Sequence, residues 1–241
     1  MKKDSGQLKK VFTGISMLQL IALPLFALEV RRFDFQNETL GAASKEFSAM
    51  VGDWCIDKDG SNLVYAVDGR KRAPGLSADA DSNAKGLYGE KSAEFLKSME
   101  LLKHYPLTVC KEIQNLKDGT LIVSFKAIDG KEDQAAGIAF NIRQNGEYLA
   151  IRANGLENNL GLFRFEKGKR SPLQWAHDVP PPEKGWHTFK VVIRGKKIEG
   201  YLDDKKYIDY SHDDTVEGRI GLWSKADSYV MFDNFIIQRE K

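Results

Sequence analysis

Residues 148–160 read YLAIRANGLENNL, and this stretch shows the pattern that decides the fold. A strand-length run with alternating apolar side chains stops at Asn154-Gly155, and a second strand-length run follows. Asx-Gly pairs supply the backbone angles that tight hairpins need, and they recur at positions 59–60, 68–69, 118–119, 129–130 and 145–146. Short strands at this spacing are typical of a β-sandwich or jelly roll.

The same pattern continues outward from this hairpin along the chain. Further predicted strands, rich in β-branched and aromatic residues, cover 121–128, 137–143, 189–194, 198–202 and 229–237. One short helix is predicted over 91–103, where Phe95, Met99 and Leu102 fall at helical spacing; a loop between two strands is the alternative. We therefore expect an all-β jelly-roll sandwich with at most this one short helix.

Residues 1–27 have the composition of a secretory signal peptide. Four lysines precede an uncharged run from Val11 to Leu28, and Ala27 offers a small residue for cleavage, although Leu25 is unfavourable. The alternative is an uncleaved membrane anchor, since the run is almost long enough to span a bilayer. The sequence thus predicts an exported protein, periplasmic or secreted, without a stable membrane span after cleavage. An entry segment (28–46) and a single domain (47–241) follow the leader.

The charge of the chain argues against a nucleic-acid partner. The whole sequence has 36 basic and 34 acidic side chains, and removal of residues 1–27 leaves 32 and 33. Proteins that bind polyanions normally carry a clear positive excess. The apparent basicity therefore belongs to the leader.

Cys55 and Cys110 are the two cysteines of the sequence. In an oxidising compartment they are a candidate disulfide, which would stabilise the fold by about 4 kcal/mol in the chain-entropy model. The alternative is two separate buried thiols, because free cysteine packs as a small apolar side chain.

Several segments of the sequence resemble a known family of exported bacterial domains. They are GKEDQAAGIAF (130–140), YLAIRANGLENN (148–159), KGKR (167–170), WH (186–187) and GLWSKADS (221–228). They are similar to the concanavalin A-like lectin/glucanase superfamily, and more narrowly to LamG-like or 3-keto-disaccharide hydrolase domains, also described as family 16 glycoside hydrolase-like. The resemblance covers roughly residues 47–239. It implies two curved antiparallel sheets packed face to face, with saccharides held on the concave sheet and its rim loops.

Alternation along the strands suggests a carbohydrate-binding surface. Tyr148 and Arg152 alternate with the apolar Leu149 and Ile151, and Arg143 lies opposite the apolar residues of the neighbouring strand. Guanidinium groups donate hydrogen bonds to sugar hydroxyls and an aromatic ring stacks on a sugar face. The alternative is an ordinary exposed sheet face with cross-strand pairs.

Two loops extend this candidate surface. Asn154, Glu157 and Asn158 bring more amides and carboxylates together than a turn requires, so we expect them to bind a sugar directly or to coordinate calcium. Trp223 alternates away from the predicted core, and Lys225 and Asp227 follow it. A covering loop over Trp223 and a local Lys225–Asp227 ion pair are the structural alternatives.

The candidate catalytic residues are few. Lectin-like glucanases usually carry Glu-x-Asp-x-x-Glu on one strand, and this motif is absent from the sequence. A route through a 3-keto-glycoside needs an acid or base, for which Glu157 and Asp133 are the candidates. We therefore expect a lectin-like domain that binds a glycan, with no required cofactor. The alternatives are a hydrolase or lyase acting on a 3-keto-disaccharide or related glycoside, and a non-catalytic envelope scaffold that binds protein.

Overall fold

The computed structural model describes residues 28–71, 73–182 and 184–240, so that the predicted leader lies outside the described residues. Within them the chain forms two antiparallel β-sheets and two short helices. The strands are β1 (Leu28–Phe33), β2 (Phe47–Val51), β3 (Trp54–Asp59), β4 (Asn62–Asp68), β5 (Leu107–Cys110), β6 (Gly119–Asp129), β7 (Ala135–Ile142), β8 (Tyr148–Asn154), β9 (Glu157–Glu166), β10 (Lys169–His177), β11 (His187–Arg194), β12 (Lys197–Leu202), β13 (Lys205–Ser211), β14 (Arg219–Ser224) and β15 (Tyr229–Glu240).

The two sheets are built from different strands and pack face to face. The eight-stranded sheet has the order β13-β12-β11-β6-β15-β4-β3, with β1 also paired to β15. The seven-stranded sheet has the order β10-β9-β8-β7-β14-β5-β2. Apolar side chains from both sheets, such as Phe125, Phe189, Ile138 and Ile151, form one buried core between them. The predicted sandwich is therefore confirmed.

The entry segment contributes to this sandwich. Strand β1 pairs with β15 along its whole length, with Leu28 opposite Glu240 and Phe33 opposite Phe235. Phe33 and Phe35 are buried in the main core beside Phe47. The segment preceding residue 47 is thus packed on the domain.

The structure contains one more helix than the sequence pattern indicates. The predicted helix is α2 (Ser92–Leu101), which buries Phe95 and Met99. A second helix, α1 (Ala80–Tyr88), precedes it and is joined to it by a 3₁₀ turn over Gly89–Lys91. The sequence of α1 hides it, because only alanines are buried along it and Gly86 interrupts it.

The two helices cover part of the outer face of the seven-stranded sheet. A second buried cluster joins Phe95, Met99 and Leu102 to outward-facing residues of the sheet, including Tyr148, Phe165 and Trp223. Leu101, at the end of α2, lies directly over Gly168 in the β9–β10 turn. The outer face of this sheet is therefore partly an interior surface.

The predicted disulfide between Cys55 and Cys110 is wrong, because both cysteines are free. Cys110 lies in the core between the sheets. Cys55 alternates on β3 with Trp54 and Ile56, whose side chains point into that same core, so its own side chain faces the other way. Burial raises the pKa of both thiols, that of Cys110 to about 11. They fit the alternative of two separate thiols.

None of the helices in the described residues is both long and apolar enough to cross a membrane.

Candidate functional site

Arg152 lies on the outer face of the seven-stranded sheet, as the alternation along β8 predicts. Leu149 and Ile151 enter the core between the sheets, whereas Tyr148 belongs to the cluster under the helices. The expectation of an open surface is wrong here, however, because Arg152 and Tyr148 are each only 2% exposed. Neighbouring aromatic rings and the helices cover this face.

The Arg152 guanidinium is buried with most of its donors unused. Its Nη2 donates a hydrogen bond of 2.7 Å to Oε2 of Glu157, and its Nε and Nη1 have no hydrogen-bond partner among the described residues. These two nitrogens carry three N–H groups. A buried donor without a partner costs about 1–3 kcal/mol, and a ligand or an ordered water removes that cost.

Glu157 and Asn159 stand beside this guanidinium at the start of β9. The Asn159 side-chain amide donates to Oε2 of Glu157 at 3.0 Å, and its Oδ1 has no partner among the described residues. Burial alone would raise the pKa of Glu157. Hydrogen bonds from Arg152 and Asn159, together with the charges of Arg152 and Lys225, outweigh burial and lower that pKa. Glu157 is therefore a carboxylate, an acceptor, at neutral pH.

Aromatic rings hold Arg152 in place. Its guanidinium carbon lies 5.3 Å from the ring centroid of Trp175 and 5.7 Å from that of Phe163, and these two rings meet edge to face at 4.9 Å. The guanidinium carbon of Arg170 also lies against this group, 4.8 Å from the ring centroid of Phe163 and 5.6 Å from that of Tyr105. Its Nη1 also lacks a partner among the described residues. Two arginines and partly exposed rings thus share one patch.

Two glycines allow the rings to lie close to the sheet. Gly137 and Gly161 stand opposite Arg152 on the two neighbouring strands. A Cβ at Gly161 would meet the Phe163 ring at 2.6 Å and the Trp175 ring at 3.0 Å, and one at Gly137 would meet Trp223 at 3.1 Å. The sheet is therefore bare on both sides of Arg152, and the tryptophan rings fill that space.

Trp223 and Tyr148 form the floor of this region. Trp223 is fully buried, because the Tyr105 ring stacks on it with the ring centroids 5.8 Å apart. The alternative offered by the sequence, in which a loop covers Trp223, is therefore the one that the structure shows. Burial raises the pKa of Tyr148, and the Trp223 indole offsets this slightly without forming a hydrogen bond of ordinary geometry. The expected ring open for sugar stacking is therefore absent at both positions.

The predicted loop residues Asn154 and Lys225 form hydrogen bonds and an ion pair that hold the loops beside the patch in place. Asn154 is fully buried; its Oδ1 accepts from the backbone N–H groups of Gln134 and Leu156, and its amide donates to Asp133. Lys225 forms an ion pair with Asp133, with 2.8 Å between Nζ and Oδ2. The local Lys225–Asp227 ion pair considered in the sequence analysis is not formed.

Asp227 accepts from the backbone N–H groups of Lys131, Glu132 and Asp133. Burial would raise the pKa of Asp227, but these three hydrogen bonds lower it. The carboxylates of Asp227 and Asp133 are thus engaged in holding the β6–β7 loop against the loop that follows β14.

Arg143 and Asn158 lie apart from Arg152. Arg143 stands beyond β7 in the β7–β8 hairpin, with its Nε donating to Asn141 at 3.4 Å. Arg152 pairs with Gly137 at the other end of β7, so the two arginines do not share a groove. Asn158 is exposed, and its backbone carbonyl accepts from Val179.

The sequence pattern missed three residues of this patch, Trp175, Arg170 and Tyr105. Trp175 and His177 share one face of β10 by alternation, and their rings stack at 6.3 Å. Arg170 lies in the segment 167–170 that carries part of the family resemblance. Its position opposite Phe165 follows from the pairing of β10 with β9. Tyr105 follows α2 in a short loop and has no periodic signal.

No group of three or more His, Cys, Asp or Glu side chains within residues 28–71, 73–182 and 184–240 is arranged to hold a metal ion. Calcium binding through backbone and amide oxygens therefore stays a prediction.

Comparisons with known proteins identify the fold. No family model matches the sequence. An uncharacterised protein of Methanocaldococcus jannaschii is 27% identical over 114 residues, 45% of this chain and 49% of the relative, so the match spans about half of that relative's length.

Among solved structures, the carbohydrate-binding module CBM66 from Bacillus subtilis superposes with a TM-score of 0.56 at 18% identity, over 80% of this chain and 97% of that one. The endo-β-1,3(4)-glucanase SCLam of family GH16 gives 0.55 at 10% identity, over 92% and 94%. The β-glucanase of Bacillus licheniformis gives 0.53 at 9% identity, over 88% and 98%.

Proposed function

From the concanavalin A-like lectin/glucanase fold of this chain, we propose that the protein binds a glycan at the patch of Arg152, Glu157, Asn159, Arg170 and Trp175. Its structural neighbours include a carbohydrate-binding module and glucanases, which supports a carbohydrate-related function. Fold alone does not define function, so the proposal rests on the patch itself.

The observation that carries the proposal is the unused hydrogen-bonding capacity at Arg152. Three N–H groups of a buried guanidinium and one amide oxygen of Asn159 lack partners among the described residues. Sugar hydroxyls both donate and accept, so vicinal hydroxyls satisfy the guanidinium donors and the Asn159 oxygen together once the partly exposed Trp175 ring over Arg152 moves aside. The partly exposed Trp175 and Tyr105 rings provide apolar planes for the faces of sugar rings.

The same groups favour binding over hydrolysis. A glycosidase needs one carboxylic acid whose pKa is raised so that it can protonate the leaving group. The pKa of Glu157 is lowered instead, and Asp133 is buried against Lys225 and Asn154. Both carboxylates therefore serve as acceptors and charge partners, which suits recognition.

Export is part of the proposal. The basic and apolar leader of residues 1–27 supports it, and a near-neutral mature chain is compatible with a glycan of the cell envelope. The leader also defines a direct check, since N-terminal sequencing of the protein from its native compartment should find residue 28 first.

A glycan array followed by calorimetric titration tests the proposed function. We expect saturable binding to at least one glycan and a loss of at least tenfold in affinity in Arg152→Lys, which keeps the charge but not the planar fork. Arg194→Gln, an exposed arginine on the other sheet, is the matched control and should bind normally. Release of reducing sugar or a keto-sugar from the bound glycan would instead favour the enzyme alternative.

A further inference from the structure

A second polar cleft lies at the opposite end of the seven-stranded sheet from Arg152. It has a volume of about 890 Å³ and is bounded by the end of α1, the start of α2, the β7–β8 hairpin and the segment before β14. Arg219, on the cleft wall, pairs with Ile142, whereas Arg152 pairs with Gly137. Five residues of β7 separate these positions, which is about 16 Å along a strand. The two sites are therefore distinct.

Arg219 is the buried charge of this cleft. It is only 9% exposed, its Nη2 donates to the backbone carbonyl of Leu87 at 2.9 Å, and its Nη1 has no partner among the described residues. In the described part of the chain Arg219 contacts the Leu87 carbonyl and the Tyr88 ring, and no salt bridge offsets its charge. An uncompensated buried guanidinium is costly, and an incoming anion removes that cost.

Tyr88 supplies a second unused donor beside Arg219. Its ring is held between the Arg219 guanidinium, 5.4 Å from the ring centroid, and the Phe95 ring, which stacks on it at 4.4 Å. The Tyr88 hydroxyl has no partner among the described residues, and burial raises its pKa, so it is a neutral donor. One guanidinium nitrogen and one phenol thus offer hydrogen bonds together.

The backbone around the cleft is fixed in place. Asn141 has a positive φ of 53° at a bulge in the β7–β14 ladder, and its side chain accepts from the backbone N–H of Glu217 and from Arg143. Leu116 and Gly218 exchange backbone hydrogen bonds of 2.8 and 3.2 Å. These bonds tie the walls together, so the cleft does not depend on a mobile surface loop.

The rim of the cleft combines charges with amides. Lys91 and Arg143 add positive charge, Glu94 and Glu217 add negative charge, and with Arg219 the cleft has a net charge of +1. Gln114, Asn115, Gln144 and Asn145 also face it. Primary amides both donate and accept hydrogen bonds, as hydroxyl groups require, whereas an anion also offsets the unpaired charge of Arg219.

We propose that this cleft binds a carboxylate-bearing saccharide of the uronate class. The carboxylate accepts from Arg219 and Tyr88 after small rotations of both side chains bring the buried Nη1 and hydroxyl to the cleft surface, and the ring hydroxyls bond to the amides of the rim. The protein then has two saccharide sites, one near each end of β7. This site does not depend on the glycan bound at Arg152.

Calorimetric titration with trigalacturonate tests the proposal. We expect saturable binding to the wild-type protein and at least tenfold weaker binding to Arg219→Gln. Glu217→Gln removes an exposed negative charge from the rim and should bind about twofold to threefold more tightly, an effect that salt reduces. The Glu217 variant keeps the test informative if Arg219→Gln does not fold.

Three controls make the outcome decisive. The neutral analogue in which the carboxylates are reduced to alcohols should bind at least tenfold more weakly, and inorganic phosphate should not compete at equal concentration. Arg152→Lys should bind trigalacturonate normally, so failure of the first site is distinguishable from failure of this one. Absence of saturable binding, unchanged affinity in both Arg219→Gln and Glu217→Gln, or equal competition by phosphate would overturn the proposal.

Discussion

Arg152 and Glu157 are joined across the β8–β9 hairpin by a hydrogen bond of 2.7 Å, while Nε and Nη1 of the same guanidinium have no partner in the described residues. Glu157 therefore compensates the charge of Arg152 while leaving the three N–H groups on Nε and Nη1 without a partner. Because Phe163 and Trp175 flank the guanidinium, it is held in one orientation. A fixed, partly unsatisfied arginine is a preorganised site for a polar ligand.

The pKa of Glu157 should depend on Arg152. In Arg152→Gln the carboxylate keeps its burial but loses its cationic partner, so its pKa should rise. Carbon-detected NMR titration of the side-chain carboxyl measures this. Glu199 on β12 has a pKa lowered by Lys206 and Tyr201 and serves as the control in the same spectra, where it should not change.

This shift fixes the sign of one pH effect on stability. The pKa of Glu157 is lower in the folded protein than in the unfolded chain, so its ion pair stabilises the fold above the unfolded-state pKa. That stabilisation is lost as the pH falls through the folded-state pKa. The difference in stability between wild type and Arg152→Gln should therefore narrow on acidification, and a constant difference would contradict the role of the pair.

Trp175→Ala should weaken glycan binding by tenfold or more, because it removes both a stacking plane and one of the rings that hold Arg152. Trp186→Ala is the matched control: Trp186 is 38% exposed and donates to Asp59 on the other sheet. Affinities from titration, with circular dichroism to verify folding, separate the two. Equal losses in both variants would count against the site.

Gly161→Ala should destabilise the fold by about 1–3 kcal/mol, the usual cost of overpacking. Its Cβ would lie 2.6 Å from the Phe163 ring, which is enclosed by Arg152, Arg170 and Trp175. Gly86→Ala in α1 meets nothing within 4 Å and should stabilise by about 0.5–1 kcal/mol. Urea denaturation measures both, and opposite signs are the expected result.

Asp227→Asn should destabilise the protein by about 1–3 kcal/mol, since a carboxylate that accepts from three backbone N–H groups is replaced by a neutral amide. Asp213→Asn is the control, because that side chain is 80% exposed with a single pair at 3.3 Å. Thermal unfolding near neutral pH compares them. The difference in stability between wild type and Asp227→Asn should shrink as the pH falls through the lowered folded-state pKa of Asp227, because the wild-type carboxylate is then protonated as well.

The sequence predicts the sandwich well because alternation and Asx-Gly turns are local signals. β6, β8, β11, β12 and β15 all fall where these signals place them. Alternation also assigns Arg152 to the face opposite Leu149 and Ile151. It cannot show what covers that face, since the cover comes from α1, α2 and Tyr105, which are distant in sequence from β8.

The predictions of the disulfide and of the Arg143 position are wrong because each depends on strand pairing, which local alternation does not show. Whether Cys55 and Cys110 meet depends on which sheet and face each strand joins, and the cysteine count contains no such information. Arg143 follows the bulge at Asn141, which interrupts simple alternation and places Ile142 on the helix side. Trp175 and Arg170 enter the site only through the pairing of β10 with β9.

The most direct test of the proposed glycan site is an NMR titration of the labelled protein with the tightest-binding glycan of the array, observing Arg152 Nε–H and the indole N–H groups. We predict that the Arg152 Nε–H and Trp175 signals shift together with one dissociation constant while the Trp186 signal does not move. Saturable binding that leaves Arg152 and Trp175 unchanged would contradict the assignment of the glycan site.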